Sequence, residues 1–232
     1  MGKKLNTMDP RKVLWTVIGT NVSVYLLWQY SISTYKTFGD DSWLAFMVKN
    51  FMSSPASLEQ GRIHTLLTSA FSHKSLDHLG VNMLVLYTMG QGVIEAVGAS
   101  RFLLLYAGAG VTASLAAIAY RKYIKPKLEK GYGKPISDNK NFLGSLGASG
   151  SVTGITTFYA CAFPRATFLV FFVIPMPAIA VVGLFASYDI YKASTLSNSI
   201  IDSAGHIGGA AYGVGYWFLR VKPMLKTGRW RF

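Results

Sequence analysis

Leu146-Gly147-Ala148-Ser149-Gly150 opens an apolar run, Ser151 to Pro164, whose length decides how the chain folds. At about 14 residues it makes roughly 21 Å of helix, whereas a bilayer core needs about 20 residues. A helix that short inside a membrane protein must begin below the lipid surface. Ser149, a hydroxyl flanked by Gly147 and Gly150, is then carried to membrane depth. Non-helical backbone at that depth is tolerated only where protein buries it or where it lines a wet cavity. The stretch therefore points to a nucleophile in an aqueous pocket within the membrane zone.

Working outward, composition places the whole chain in the membrane class. It has 232 residues, 51% hydrophobic and 14% charged, with positive mean hydropathy. Apolar runs predict six helices: Val13 to Tyr30, Leu76 to Ile94, Phe102 to Tyr120, the short one from Ser149, Ala166 to Tyr188, and Ser203 to Leu219. The fifth contains Pro175 and Pro177 and is expected to kink. The loop from Ser31 to Ser75 carries Trp43-Leu44-Ala45-Phe46 and Ile63 to Phe71, which read as short amphipathic helices at the interface. The expected fold is an all-α polytopic six-transmembrane-helix bundle with a short central fourth helix. It spans residues 13–220, between basic tails at 1–12 and 221–232.

The formal charge of +13 resides in the tails and in the loop Arg121 to Asn141, not along an exposed element. That distribution fits anchoring to anionic lipid and argues against a nucleic-acid partner. Lys and Arg divide almost evenly between the two expected faces, so charge assigns no orientation. The N-terminus reads as neither a cleavable signal peptide nor an Arg/Ser-rich transit peptide, so targeting is expected to use the first span, or the chain to be a trimmed form. The single cysteine, Cys161, forms no internal disulfide and reads as a small core residue. The four histidines lack ligand spacing and there is no His-Glu-x-x-His, so no metal is expected.

Topology brings the polar residues together. His78 near the start of the second helix, Ser149 at the start of the fourth and His206 near the start of the sixth all follow loops on one membrane face. All three fall at a similar shallow depth. Ionisable groups within membrane helices are functional by default. His206 is placed to act as general base toward Ser149 and then as acid toward the leaving amine. His78 and Asn82, four residues apart on one helix face, together with the Ser149 amide, form an expected oxyanion hole. Gly205, Gly209 and Gly213 repeat every four residues, the small-residue pattern that lets helices approach closely. Asp202, four residues before His206, reads either as a helix cap or as an acid that orients the imidazole. His64 and His73 are read as structural hydrogen-bonding residues.

These residues resemble the rhomboid intramembrane serine proteases. The matching elements are His73-x4-His78-x3-Asn82, Gly147-Ala148-Ser149-Gly150, and Gly205-His206-Ile207-Gly208-Gly209 with Gly213 beyond. Arg62 and Glu95 also sit where that family carries an Arg and a Glu. Ser145-Leu146, Asp202, Ile174-Pro175-Met176-Pro177 and Gly228-Arg229-Trp230 resemble its mitochondrial, presenilin-associated branch. The resemblance implies a Ser149–His206 dyad without a required acid, and an oxyanion hole of His78, Asn82 and the Ser149 amide. It also implies transmembrane protein substrates cleaved through an acyl-enzyme, no cofactor, and a multi-pass protein of the mitochondrial inner membrane. Thr153 departs from the pattern: bacterial members often carry a Tyr there that stacks under the base, so His206 must be positioned some other way. The extra helix and leader that usually precede the core in the mitochondrial branch are not seen, which leaves orientation open. Two other classes compete, a catalytically inactive relative acting as membrane chaperone or dislocation factor, and a small transporter or channel. Retention of both Ser149 and His206 favours the peptidase over the first. Clustering of the polar residues near one face, not at the midplane, favours it over the second.

Overall fold

Asp9 starts the first helix. Its carboxylate accepts from the Arg11 amide at 2.9 Å, and Pro10 takes the first turn, where a missing N–H costs nothing. In this computed structural model, which describes residues 8–132, 144–170, 173–195 and 202–226, that helix is α1 (Pro10–Phe38), ended by Gly39 with φ +71°. Three short helices follow: α2 (Ser42–Phe51), α3 (Pro55–Glu59) and α4 (Thr65–Thr68), the last running into a 3₁₀ turn, Ser69–Phe71. α2 buries Met47 against Val24 and Trp28 and leaves Trp43 and Phe46 exposed, the division an amphipathic segment produces.

The bundle consists of α1 with α5 (Leu76–Val97), α6 (Ala99–Ala119), α7 (Ser149–Ala162), α8 (Ala178–Ser194) and α9 (Ser203–Tyr216). α6 continues through a π-turn, Tyr120–Ile124, into Lys125–Gly131, and α9 continues through another, Trp217–Val221, into Lys222–Lys226. The short helix α7 is the hub, packed against α5, α6, α8 and α9. Its Val152, Ile155 and Phe158 join Leu14, Leu86, Val93, Phe102 and Leu105 in the main core. Gly108 and Gly110 on α6 leave room for Tyr212 and Ser151. Among the described residues one helix, the continuous Ala99–Gly131, is long and apolar enough to cross a membrane. α7 and α9 are shorter, with 14 residues each, and α1 and α5 carry polar side chains such as Asn21 and Asn82.

The expected fifth helix, Ala166 to Tyr188, is corrected. Thr167–Val170 (β1) pairs antiparallel with Ile174–Pro177 (β2), and helix begins only at Ala178. The cause is local. Ile174 and Met176 each precede a proline, which drives them out of the helical region, and Pro175 and Pro177 cannot donate to a helix ladder. A two-stranded edge tolerates both. The remaining helices begin within three residues of where the apolar runs place them. Lys134 and Lys140 of the basic loop, residues 171–172 of the expected fifth helix, and Gly228-Arg229-Trp230 lie outside the described residues.

Candidate active site

The segment before α7 is tied down along its length by the first loop. Ser145 and Ser53 exchange backbone hydrogen bonds at 2.7 and 3.0 Å. The Gly147 amide donates to the Ser69 carbonyl at 2.9 Å, and the Ala148 amide donates to His73 Nε2 at 3.4 Å. His73 is fully buried and meets His78 edge to face, with ring centroids 5.0 Å apart. Gly147 has φ +138°, a conformation L side chains rarely adopt. A Cβ there would also lie 2.7 Å from His78 Cε1 and 3.7 Å from Ser149 Oγ. Glycine at 147 is therefore what lets the His78 ring and the Ser149 hydroxyl flank the same turn.

Ser149, the first residue of α7, and His206, in the first turn of α9, line one cavity with Gly147, Gly150, Ser145 and Asp202. α9 reaches that position through bare backbone. A Cβ on Gly209 would overlap the Gly150 carbonyl oxygen, and one on Gly213 would overlap that of Gly154. His78 lies against the Cβ side of Gly147, the side on which Ser149 Oγ also lies. Asn82 is buried, and its amide donates to the His78 carbonyl at 2.8 Å. That contact uses one of its two N–H groups. Neither His78 nor Asn82 lines the cavity that Ser149 and His206 share.

Asp202 caps α9, accepting from the Gly205 amide at 3.2 Å. It also binds Arg121 Nη2 at 2.8 Å and accepts from the Ser145 hydroxyl, while Arg121 Nη1 donates to Ser145 Oγ at 2.6 Å. The cap reading of this residue thus describes it, and its carboxylate is directed at the Arg121–Ser145 pair. The carboxylate that meets the imidazole is Asp189 of α8, whose Oδ2 and Oδ1 lie 3.1 and 3.3 Å from His206 Nδ1. Reading the sequence alone missed this residue. Its signal was available: an acid inside an otherwise apolar run is a functional candidate on its own. Arg62 donates to the Lys49 carbonyl at 3.4 Å, Glu95 accepts from Gln91 at 2.9 Å, and His64 pairs with Asn50 at 3.2 Å; none of the three lines the cavity.

The chain is similar to known proteins. The family described as Rhomboid domain matches residues 60–223, which includes every residue that lines this cavity. RHOMBOID-like protein 12, mitochondrial, of Arabidopsis thaliana is 32% identical over 228 residues, covering 98% of this chain and 62% of that protein. Rhomboid protein 1, mitochondrial, of Saccharomyces cerevisiae is 31% identical over 230 residues, covering 95% and 59%. The human presenilin-associated rhomboid-like protein, mitochondrial, is 27% identical over 212 residues, covering 91% and 49%. The chain thus spans about half to three-fifths of the length of these relatives. With the match running through the first loop, the Ser149 turn and the glycine-lined helix of His206, the chain belongs to the rhomboid family.

Proposed function

We propose that this chain is an intramembrane serine endopeptidase. The observation that carries the reading is that Ser149 and His206, from two different helices, line one cavity while Asp189 engages Nδ1 of the imidazole and leaves Nε2 for the hydroxyl. Ser149 Oγ attacks a peptide carbonyl carbon and its proton passes to His206 Nε2. The oxyanion takes hydrogen bonds from His78, from the free N–H of Asn82 and from the Ser149 amide. Collapse of the tetrahedral intermediate breaks the C–N bond, and His206 returns the proton to the leaving amine. Water, deprotonated by His206, then cleaves the acyl ester and regenerates Ser149. Every group required is a side chain or backbone amide of this chain, so the mechanism calls for no metal or cofactor.

The substrates are transmembrane segments of other proteins, and the six helical runs are the membrane domain. Exposed large apolar residues support a lipid setting: Leu26, Leu104 and Leu184 each show nearly three-fifths of their surface and Leu219 shows 78%. The names of these relatives, each printed as mitochondrial, support a mitochondrial setting, and the reading places the chain there as a multi-pass protein of the inner membrane. The test is cleavage of a generic transmembrane substrate by the detergent-purified chain beside Ser149→Ala and His206→Ala. Cleavage is expected from wild type only, and a serine-directed fluorophosphonate should label wild type and spare Ser149→Ala. Cleavage that persists in both variants would overturn the reading.

A further inference from the structure

Resting on the peptidase reading, we propose that Asp189 is the positioning residue that holds the His206 imidazole in the tautomer and orientation a base toward Ser149 requires. The acid comes from a third helix, α8, 17 positions before the histidine in sequence. Both carboxylate oxygens lie within 3.3 Å of Nδ1, and the two side chains are 10% and 19% exposed. A carboxylate only accepts, so the shared proton sits on Nδ1 and the lone pair on Nε2. A carboxylate removed from water needs a charged or hydrogen-bonding partner, and His206 supplies one. Asp189 is the single polar residue among the buried residues of α8, the others being Ala178 and Val181.

Two further observations place the role on Asp189. Asp202, the other acid near the base, is committed to the Gly205 amide, Arg121 and Ser145. α9 itself offers the imidazole little bracing, because Gly205, Gly208 and Gly209 surround it on its own helix. The ring is therefore steadied from outside, and among the described residues the acid at its Nδ1 is Asp189.

The test uses the full chain in detergent, with ¹⁵N NMR of the histidine rings beside steady-state cleavage. Wild type is expected to carry the His206 proton on Nδ1. In Asp189→Asn the amide can donate to Nδ1, so the ring proton should move to Nε2, and kcat should fall about 10²-fold with KM little changed. Asp189→Glu should recover at least part of that loss, which a merely structural role would not produce. A wild-type ring protonated on Nε2 overturns the proposal without any variant, and so does an Asp189→Asn enzyme with undiminished kcat. A wild type that cleaves nothing defeats the peptidase reading instead. The ring NMR then decides the proposal alone, Nδ1 protonation supporting the Asp189 contact and Nε2 protonation overturning it.

Discussion

Gly147 and Asn82 show how single positions set the site. At Gly147 two constraints coincide, a left-handed φ and the His78 ring against the missing Cβ. Gly147→Ala is expected to lose about 1–3 kcal/mol of stability, the usual cost of a residue forced into a sparse backbone region. It should also slow fluorophosphonate labelling of Ser149, because the new methyl pushes on the His78 ring. Thermal unfolding and labelling rate, read against Gly80→Ala where nothing lies within 4 Å, check both expectations. Asn82 tests the oxyanion assignment. Its Nδ2 already donates to the His78 carbonyl, which fixes the amide while leaving a second N–H. Asn82→Ala should lower kcat on the order of 10²-fold, the typical cost of one such donor, in steady-state cleavage. An unchanged rate would remove it from the site. Ser149, His206, His78 and Asn82 could all be named as candidates from the sequence because polar and ionisable residues stand out inside apolar runs, and the structure brings Ser149 and His206 to one cavity. Asp189 stands out in the same way. What the sequence hides is which helix faces His206, and that depends on the packing of α8 against α9.

Among the elements, the contact between α7 and α9 bears most directly on the site, since it brings the hydroxyl and the imidazole to one cavity. It is a contact of backbone on backbone. Gly209→Ala would place a methyl into the Gly150 carbonyl, so the helices must separate. The expected loss is about 1–3 kcal/mol, with cleavage reduced alongside. Gly215→Ala, on the same helix with nothing within 4 Å, should be neutral or slightly stabilising. Unfolding of both variants in detergent separates the packing effect from helix propensity. The spacing of Gly205, Gly209 and Gly213 announced this kind of approach, because close helix contact demands small residues at one face. The stretch Ala166 to Pro177 misled for an equally physical reason. An apolar run of four to eight residues has the same composition in strand or helix, and only the proline restrictions at 174 and 176 separate the two.

Across the whole molecule, burial is uneven. α6 buries ten residues, from Ala99 to Ile118, whereas α8 buries Ala178, Val181 and Asp189. Local stability follows such differences. Amide hydrogen exchange on the detergent-solubilised chain should therefore run markedly faster along α8 than along the centre of α6. Equal protection of the two helices would contradict this picture. The two helices are nonetheless linked at their ends, where the Tyr120 hydroxyl donates to the Ala193 carbonyl at 2.6 Å. The carboxylate that meets His206 thus comes from a helix that buries only three of its residues.

By itself the sequence determined the positions of the helical runs other than the fifth, the shortness of α7, the serine at its head and the glycine ladder of α9. All of these are properties of local composition and period, which a chain carries before it folds. Only the tertiary structure decided that Asp189 and not Asp202 meets His206, that the first loop pins the turn before Ser149, and that Thr167–Val170 pairs with Ile174–Pro177. Each of those depends on which surfaces of separate segments come into contact. Hydrogen bonds between partners 17 to 92 positions apart leave no periodic trace along the chain.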